Sequence, residues 1–158
     1  LVGRAKMYKN LAIFTLTISL VASSLAAKEK SAEDLVKTMK KEDITYAQLM
    51  SGMGMAYENI INGVLSMNKL LVDRGIDFIR THPAPMVNPW LIMDESDRDG
   101  FKVLLVSMDE KMDEDVKNIE SAVQNSDWYG AYAAANELGT SCLACHLSYK
   151  NSVKYIIK

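Results

Sequence analysis

The two cysteines of this 158-residue chain stand three apart, and a histidine follows the second: Cys142-Leu143-Ala144-Cys145-His146. On a helix, positions i, i+3 and i+4 share a face, so both thiols and the imidazole are presented to the same neighbour. Two thiols at that spacing can reach the two vinyl groups of one porphyrin, and the adjacent histidine then stands under the metal. C-x-x-C-H is the attachment signature of c-type haem. The pattern implies one covalent haem c, bound by Cys142 and Cys145, with His146 as an iron ligand.

Three other chemistries use parts of this string. A redox dithiol would be expected on a strand–helix unit, whereas this motif lies in a helical context near the C-terminus. A zinc site needs a fourth ligand, and His82 is the one thiol or imidazole left over. A structural disulfide would leave His146 without a role.

The elements that must position these residues are helical. From about Asp43 to Asn62, Leu49, Met53, Ala56 and Ile60 recur on one face, continued by Val64, with a break expected at Asn62-Gly63. A second helix is expected over about Ser66 to Thr81, with Leu70, Leu71, Phe78 and Ile79 facing inward. It ends at His82-Pro83-Ala84-Pro85, where proline cannot continue a helix. Residues 83–95 form the long irregular connection. Ser96 is the expected N-cap of a third helix, in which Phe101, Leu105, Met108, Met112, Val116, Ile119 and Val123 repeat at steps of three or four. Asn125-Ser126-Asp127 reads as a turn. A fourth helix from Trp128 places Tyr132, Ala135, Leu138, Cys142, Cys145 or His146, and Tyr149 together. The charged residues 28–42 read as a lead-in or a short extra helical turn, and no strand pattern stands out. The expected architecture is all-α, an antiparallel four-helix bundle with haem attached to the last helix.

Residues 1–26 read differently. Arg4, Lys6 and Lys9 precede the apolar run 11–22, and Ser24-Leu25-Ala26 provides small residues before a polar chain. This is the pattern of a secretory signal peptide cleaved after Ala26 or Ala27, and the run is shorter than the ~20 residues a spanning helix needs. The expected organisation is a signal peptide over 1–26 and one domain over 27–158. The expected location is the periplasm, with no membrane contact after cleavage. Of the 18 basic residues three lie in the signal, leaving 15 against 20 acids. That balance argues against nucleic acid as a partner and is compatible with a basic protein partner.

In Gly139-Thr140-Ser141-Cys142-Leu143-Ala144-Cys145-His146-Leu147-Ser148-Tyr149-Lys150 the chain resembles the cytochrome c prime family, including its low-spin relatives. A second, looser likeness lies in Tyr46-Ala47-Gln48-Leu49-Met50, which is similar to the family's first-helix pattern. The resemblance implies an exported four-helix bundle whose first helix faces the open side of the iron, and pairing through the first two helices into a homodimer. The chain departs from the family in two places. The family's first-helix arginine, which faces the haem propionates, would fall near Ala47, leaving Arg74, Arg80 and Lys150 as substitutes. The chain also runs on past the motif with Val153, Tyr155, Ile156 and Ile157.

The residue opposite His146 decides the function. In this family an apolar residue there leaves iron free to take a small gas such as nitric oxide, whereas a methionine thioether completes the coordination and raises the potential. The first helix holds Met50, Met53 and Met55. Met50 and Met53 share a face, and Met50 is the expected iron ligand; counting back from Gly63 would put Ala47 there instead. Methionine also fills irregular cores. His82 at its helix end is a further conceivable ligand, and Phe78, Tyr57, Trp90 and Trp128 could line the ring. The expected function is one-electron transfer to and from redox partner proteins, with gas binding as the alternative. Nothing resembles an enzyme site.

Overall fold

The computed structural model describes residues 31–153. The signal segment 1–26 and the tail residues Tyr155, Ile156 and Ile157 lie outside the described residues. The described chain is all-α apart from one minimal strand pair. Its helices are α1 (Ala32–Thr38), α2 (Tyr46–Leu65), α3 (Lys69–Thr81), α4 (Arg98–Gln124) and α5 (Trp128–Tyr149). No helix among them is long and apolar enough to cross a membrane.

Local chemistry sets the helix ends. Thr45 opens α2 with a capping box, its hydroxyl accepting from the Gln48 N–H while the Gln48 side chain accepts from the Thr45 N–H. The start is therefore Tyr46, three residues later than the periodicity suggests. At its other end α2 runs through Asn62-Gly63 to Leu65, because a helix tolerates glycine where a neighbour approaches closely. A Cβ on Gly63 would stand 2.7 Å from the Val72 backbone nitrogen, and one on Gly75 would stand 2.7 Å from Ile60 Cγ1. Glycine thus lets α2 and α3 pack backbone to backbone.

The turns after α2 and after α4 are built alike. In the first, Asn68 N–H donates to Gly63 O (2.7 Å) and Met67 takes a left-handed conformation at φ 54°. In the second, Asp127 N–H donates to Ala122 O (2.9 Å) and Ser126 sits at φ 59°. Each turn closes with an Asx side chain capping the next helix: Asn68 accepts from Leu71 N–H and Asp127 from Gly130 N–H. The products are two helical hairpins, α2–α3 and α4–α5. They pack together through α2 on α5 and α3 on α4.

Near the two turns the hairpins share one core: Ile60, Val64, Val72, Ile76, Val116, Ile119, Val123, Ala131, Ala135 and Leu138. A second cluster lies at the far end, where α1 brings Ala32 and Val36 against Ala84 and Trp90, with Phe101 and Leu105 of α4 packed on it. Lys102 ties this corner, pairing with Glu33 at 2.7 Å and lying 5.1 Å above the Trp90 ring. A two-residue parallel pairing of β1 (Lys41–Glu42) with β2 (Ala84–Pro85) anchors the lead-in to the long connection.

Four expectations are corrected. The first turn of α4 is preceded by a 3-10 turn over Glu95–Asp97, so Asp97 rather than Ser96 stands at the N-cap, and it makes no side-chain cap bond. Leu70 is exposed, as it lies in the first turn of α3 beyond the reach of α2. Tyr132 is exposed too, since the inward face of α5 is spent on Ala131, Ala135 and Leu138. Core filling accounts for only some of the methionines: Met39 and Met112 pack partly buried against the clusters. Of the nine described only Met93 is buried, and Met50, Met55, Met67 and Met86 are exposed.

Candidate haem-attachment site

Cys142, Cys145 and His146 lie in the last two turns of α5. Cys142 is roughly 20 Å along the helix from Trp128, at 1.5 Å per residue. They follow directly on the last core residue of α5, Leu138, and the burial of α5 ends at Ser141. Both cysteines are free thiols and half-buried. Burial pushes both above the ordinary thiol range; for Cys142 the nearby Cys145 and the Asp115 charge add to the effect. This is the reverse of a redox dithiol, whose reactive thiol is lowered at a helix N-terminus. His146 is exposed, and its ring takes part in no hydrogen bond among the described residues. Either ring nitrogen, according to the tautomer, can offer its lone pair to a metal.

The partner across from this face is α2. Tyr57 fixes the register, because its hydroxyl lies against Gly139: a Cβ there would meet Tyr57 Oη and would stand 2.9 Å from its Cζ. That contact gives the glycine of the motif region a steric reason. The α2 and α5 helices run in opposite directions, so each step toward the start of α2 is matched by a step toward the end of α5. Met53 and Met50 lie about one and two turns before Tyr57 on α2, as Leu143 and His146 lie about one and two turns after Gly139 on α5. Met50 is 44% exposed and Met53 half-buried. Met55 points outward at 59% exposure, and Ala47 lies nearly a turn beyond Met50 and is exposed.

The other candidates separate clearly. Phe78 of α3 stays near this level, its ring packed where a Cβ on Gly52 would stand 2.6 Å away. Trp128 packs on the shared core at the turns, and Trp90 on the α1 cluster, so neither faces the motif. His82 caps the end of α3 with Nδ1 3.1 Å from Pro83 O. Arg80 is engaged by Glu120 of α4, with two contacts at 2.8 and 3.2 Å. Arg74 and Lys150 are exposed. An arginine the sequence did not single out, Arg98, begins α4 and keeps a buried Nε without a hydrogen-bond partner. The Tyr46 hydroxyl donates to Val87 O (2.7 Å), so the opening tyrosine of α2 holds the long connection rather than the motif.

The residues fit a haem as a donor set and as surroundings. Two thiols and an imidazole share one face of α5. The helices of the bundle also carry half-buried apolar groups, among them Met53, Phe78, Met108 and Tyr149, with Tyr57 and Met112 packed on the shared core and Leu105 on the α1 cluster. A bare metal ion is less well served, since no group of three or more His, Cys, Asp or Glu among the described residues could hold one. Compared with protein-family models, curated proteins and solved structures, the chain finds no match, so the site is read from its own residues.

Proposed function

We propose that this chain is an exported four-helix-bundle c-type cytochrome that carries one electron at a time in the periplasm. Cys142 and Cys145 hold the haem through thioether bonds, His146 ligates the iron, and Met50 supplies the sixth ligand. The observation that carries the reading is a C-x-x-C-H motif on one face of α5, with the methionine-bearing helix α2 packed against α5. Haem supplies an iron that changes oxidation state by one electron, with histidine–methionine ligation favouring a high potential. The protein's own residues attach it, present the axial donors, and cover it with apolar side chains that keep water away. The mature chain's excess of acids suits a basic redox partner. Export rests on the sequence of residues 1–26.

A second reading has its own support. Met50 is 44% exposed and Met53 only half-buried, so neither thioether is locked by packing. If both stay off the iron, the protein binds nitric oxide or a similar gas at the open side. Ferric and ferrous absorption spectra, repeated with carbon monoxide, separate the two. The carrier reading expects low-spin spectra barely altered by the gas, and conversion to a gas-responsive high-spin form in Met50→Ala but not in Met53→Ala. High-spin spectra that shift at once with carbon monoxide in the unmutated protein would replace it with gas binding.

A further inference from the structure

One carboxylate in the described chain is enclosed, and it lies behind the attachment motif. Asp115 of α4 is 1% exposed. Its Oδ2 accepts from the Ser141 hydroxyl at 3.0 Å, and its Oδ1 pairs with the Lys111 ammonium one turn earlier on α4. Ser141 is itself 7% exposed and is the residue before Cys142. Lys111 is 40% exposed at its side chain, beside Glu114 and Glu137 on the groove between α4 and α5. The two partners are therefore treated unequally by solvent. Water screens the lysine, whereas the carboxylate acts through the low-dielectric interior, where a charge is felt more strongly.

A helix-to-helix tie needs no charge there; an apolar pair of similar volume often packs as well or better. The carboxylate itself is closed off from the polar groove that its partners Lys111 and Ser141 line. We propose that the Asp115 carboxylate is a tuning residue for the attached iron, its buried negative charge favouring the ferric over the ferrous state, with Lys111 setting how much of that charge is felt. This rests on the haem reading above. The electron that reduces ferric to ferrous iron comes from a redox partner in the cell, or from a dissolved one-electron mediator in the test. No bond is made or broken.

Potentiometric titration of the holoprotein with redox mediators tests it, alongside thermal unfolding. Asp115→Asn keeps the shape and the acceptor toward Ser141 while removing the charge. It is expected to raise the potential, by up to about tenfold in the ferrous-to-ferric ratio, which is ~59 mV for one electron. Lys111→Met unmasks the carboxylate and is expected to lower the potential. Should Asp115→Asn fail to accumulate, Lys111→Met against the charge-preserving Lys111→Arg decides, with only the first moving the potential. A purely structural tie would lower the unfolding temperature in both variants without shifts of opposite sign. Shifts of the same sign, or none, in haem-loaded variants overturn the tuning role. An unmutated chain that acquires no haem gives no potential to read, and sinks the underlying reading instead.

Discussion

The two ends of the hairpin pair are made differently. At the turns, Ile60, Val72, Ile119 and Leu138 are fully enclosed, and each of the four principal helices contributes to one continuous cluster. At the motif end α2 still buries Leu49 and Ala56, but the larger groups there are half-buried: Met53 and Tyr57 on α2, Phe78 on α3, Met108 on α4, Cys142 and Cys145 on α5. Helix propensity does not distinguish the ends, since every helix runs through both. What differs is side-chain volume and chemistry. The turn end is filled with branched aliphatics and alanines that close on themselves. The motif end pairs thiols, thioethers and aromatic rings, groups suited to contacting a large flat apolar ligand. In the proposed reading the polypeptide completes one end and the haem completes the other.

The contrast can be broken by removing what is proposed to complete the motif end. In Cys142→Ser/Cys145→Ser, hydrogen exchange should become much faster in the first two turns of α2 and the last two of α5, while amides around Ile60 and Ile119 keep their protection, since exchange follows local stability. Uniform protection in both proteins would mean that the motif end is complete without haem. The next largest effect is at the turns. Leu138→Ala removes a fully buried side chain and should cost about 2–5 kcal/mol in denaturant unfolding. That loss should be similar with and without haem.

The smallest effect sharpens the comparison at the surface. Arg80 lowers the Glu120 carboxyl below its ordinary range, chiefly through their hydrogen bonds. A depressed acid contributes stability above its unfolded-state range and loses it as pH falls through the folded value. Glu120→Gln should therefore cost at most about 0.5 kcal/mol near neutral pH, because the pair is largely solvated. Below the carboxylate range the difference should vanish. A cost that persists in acid would point to packing rather than charge.

Most of this was legible in the sequence where a regular period runs long. The apolar repeat of α4 located its inward face, and the prolines after His82 ended α3. The turn at Asn125-Ser126-Asp127 was readable from its residue types, whereas its twin at Ser66-Met67-Asn68 was hidden behind a glycine that looked like a break and is a contact. The pairing of Lys41–Glu42 with Ala84–Pro85 carries no pattern, being two residues on each side. Asp115 left a signal that periodicity could have caught: it falls on the same stripe as Met112 and Ile119, with Lys111 four residues before it. Met50 was readable as a candidate, but its exposure was not, because exposure depends on how α2 meets α5 and that is set by Tyr57 against Gly139.

The central claim is the covalent haem, and intact-mass spectrometry of the exported protein, followed by mass analysis of its proteolytic peptides, tests it most directly. The account predicts a chain cleaved near Ala26 and heavier by one haem, with the added mass confined to the peptide holding Cys142, Cys145 and His146. A mature chain at its bare polypeptide mass, made in cells that mature other c-type cytochromes, would contradict it.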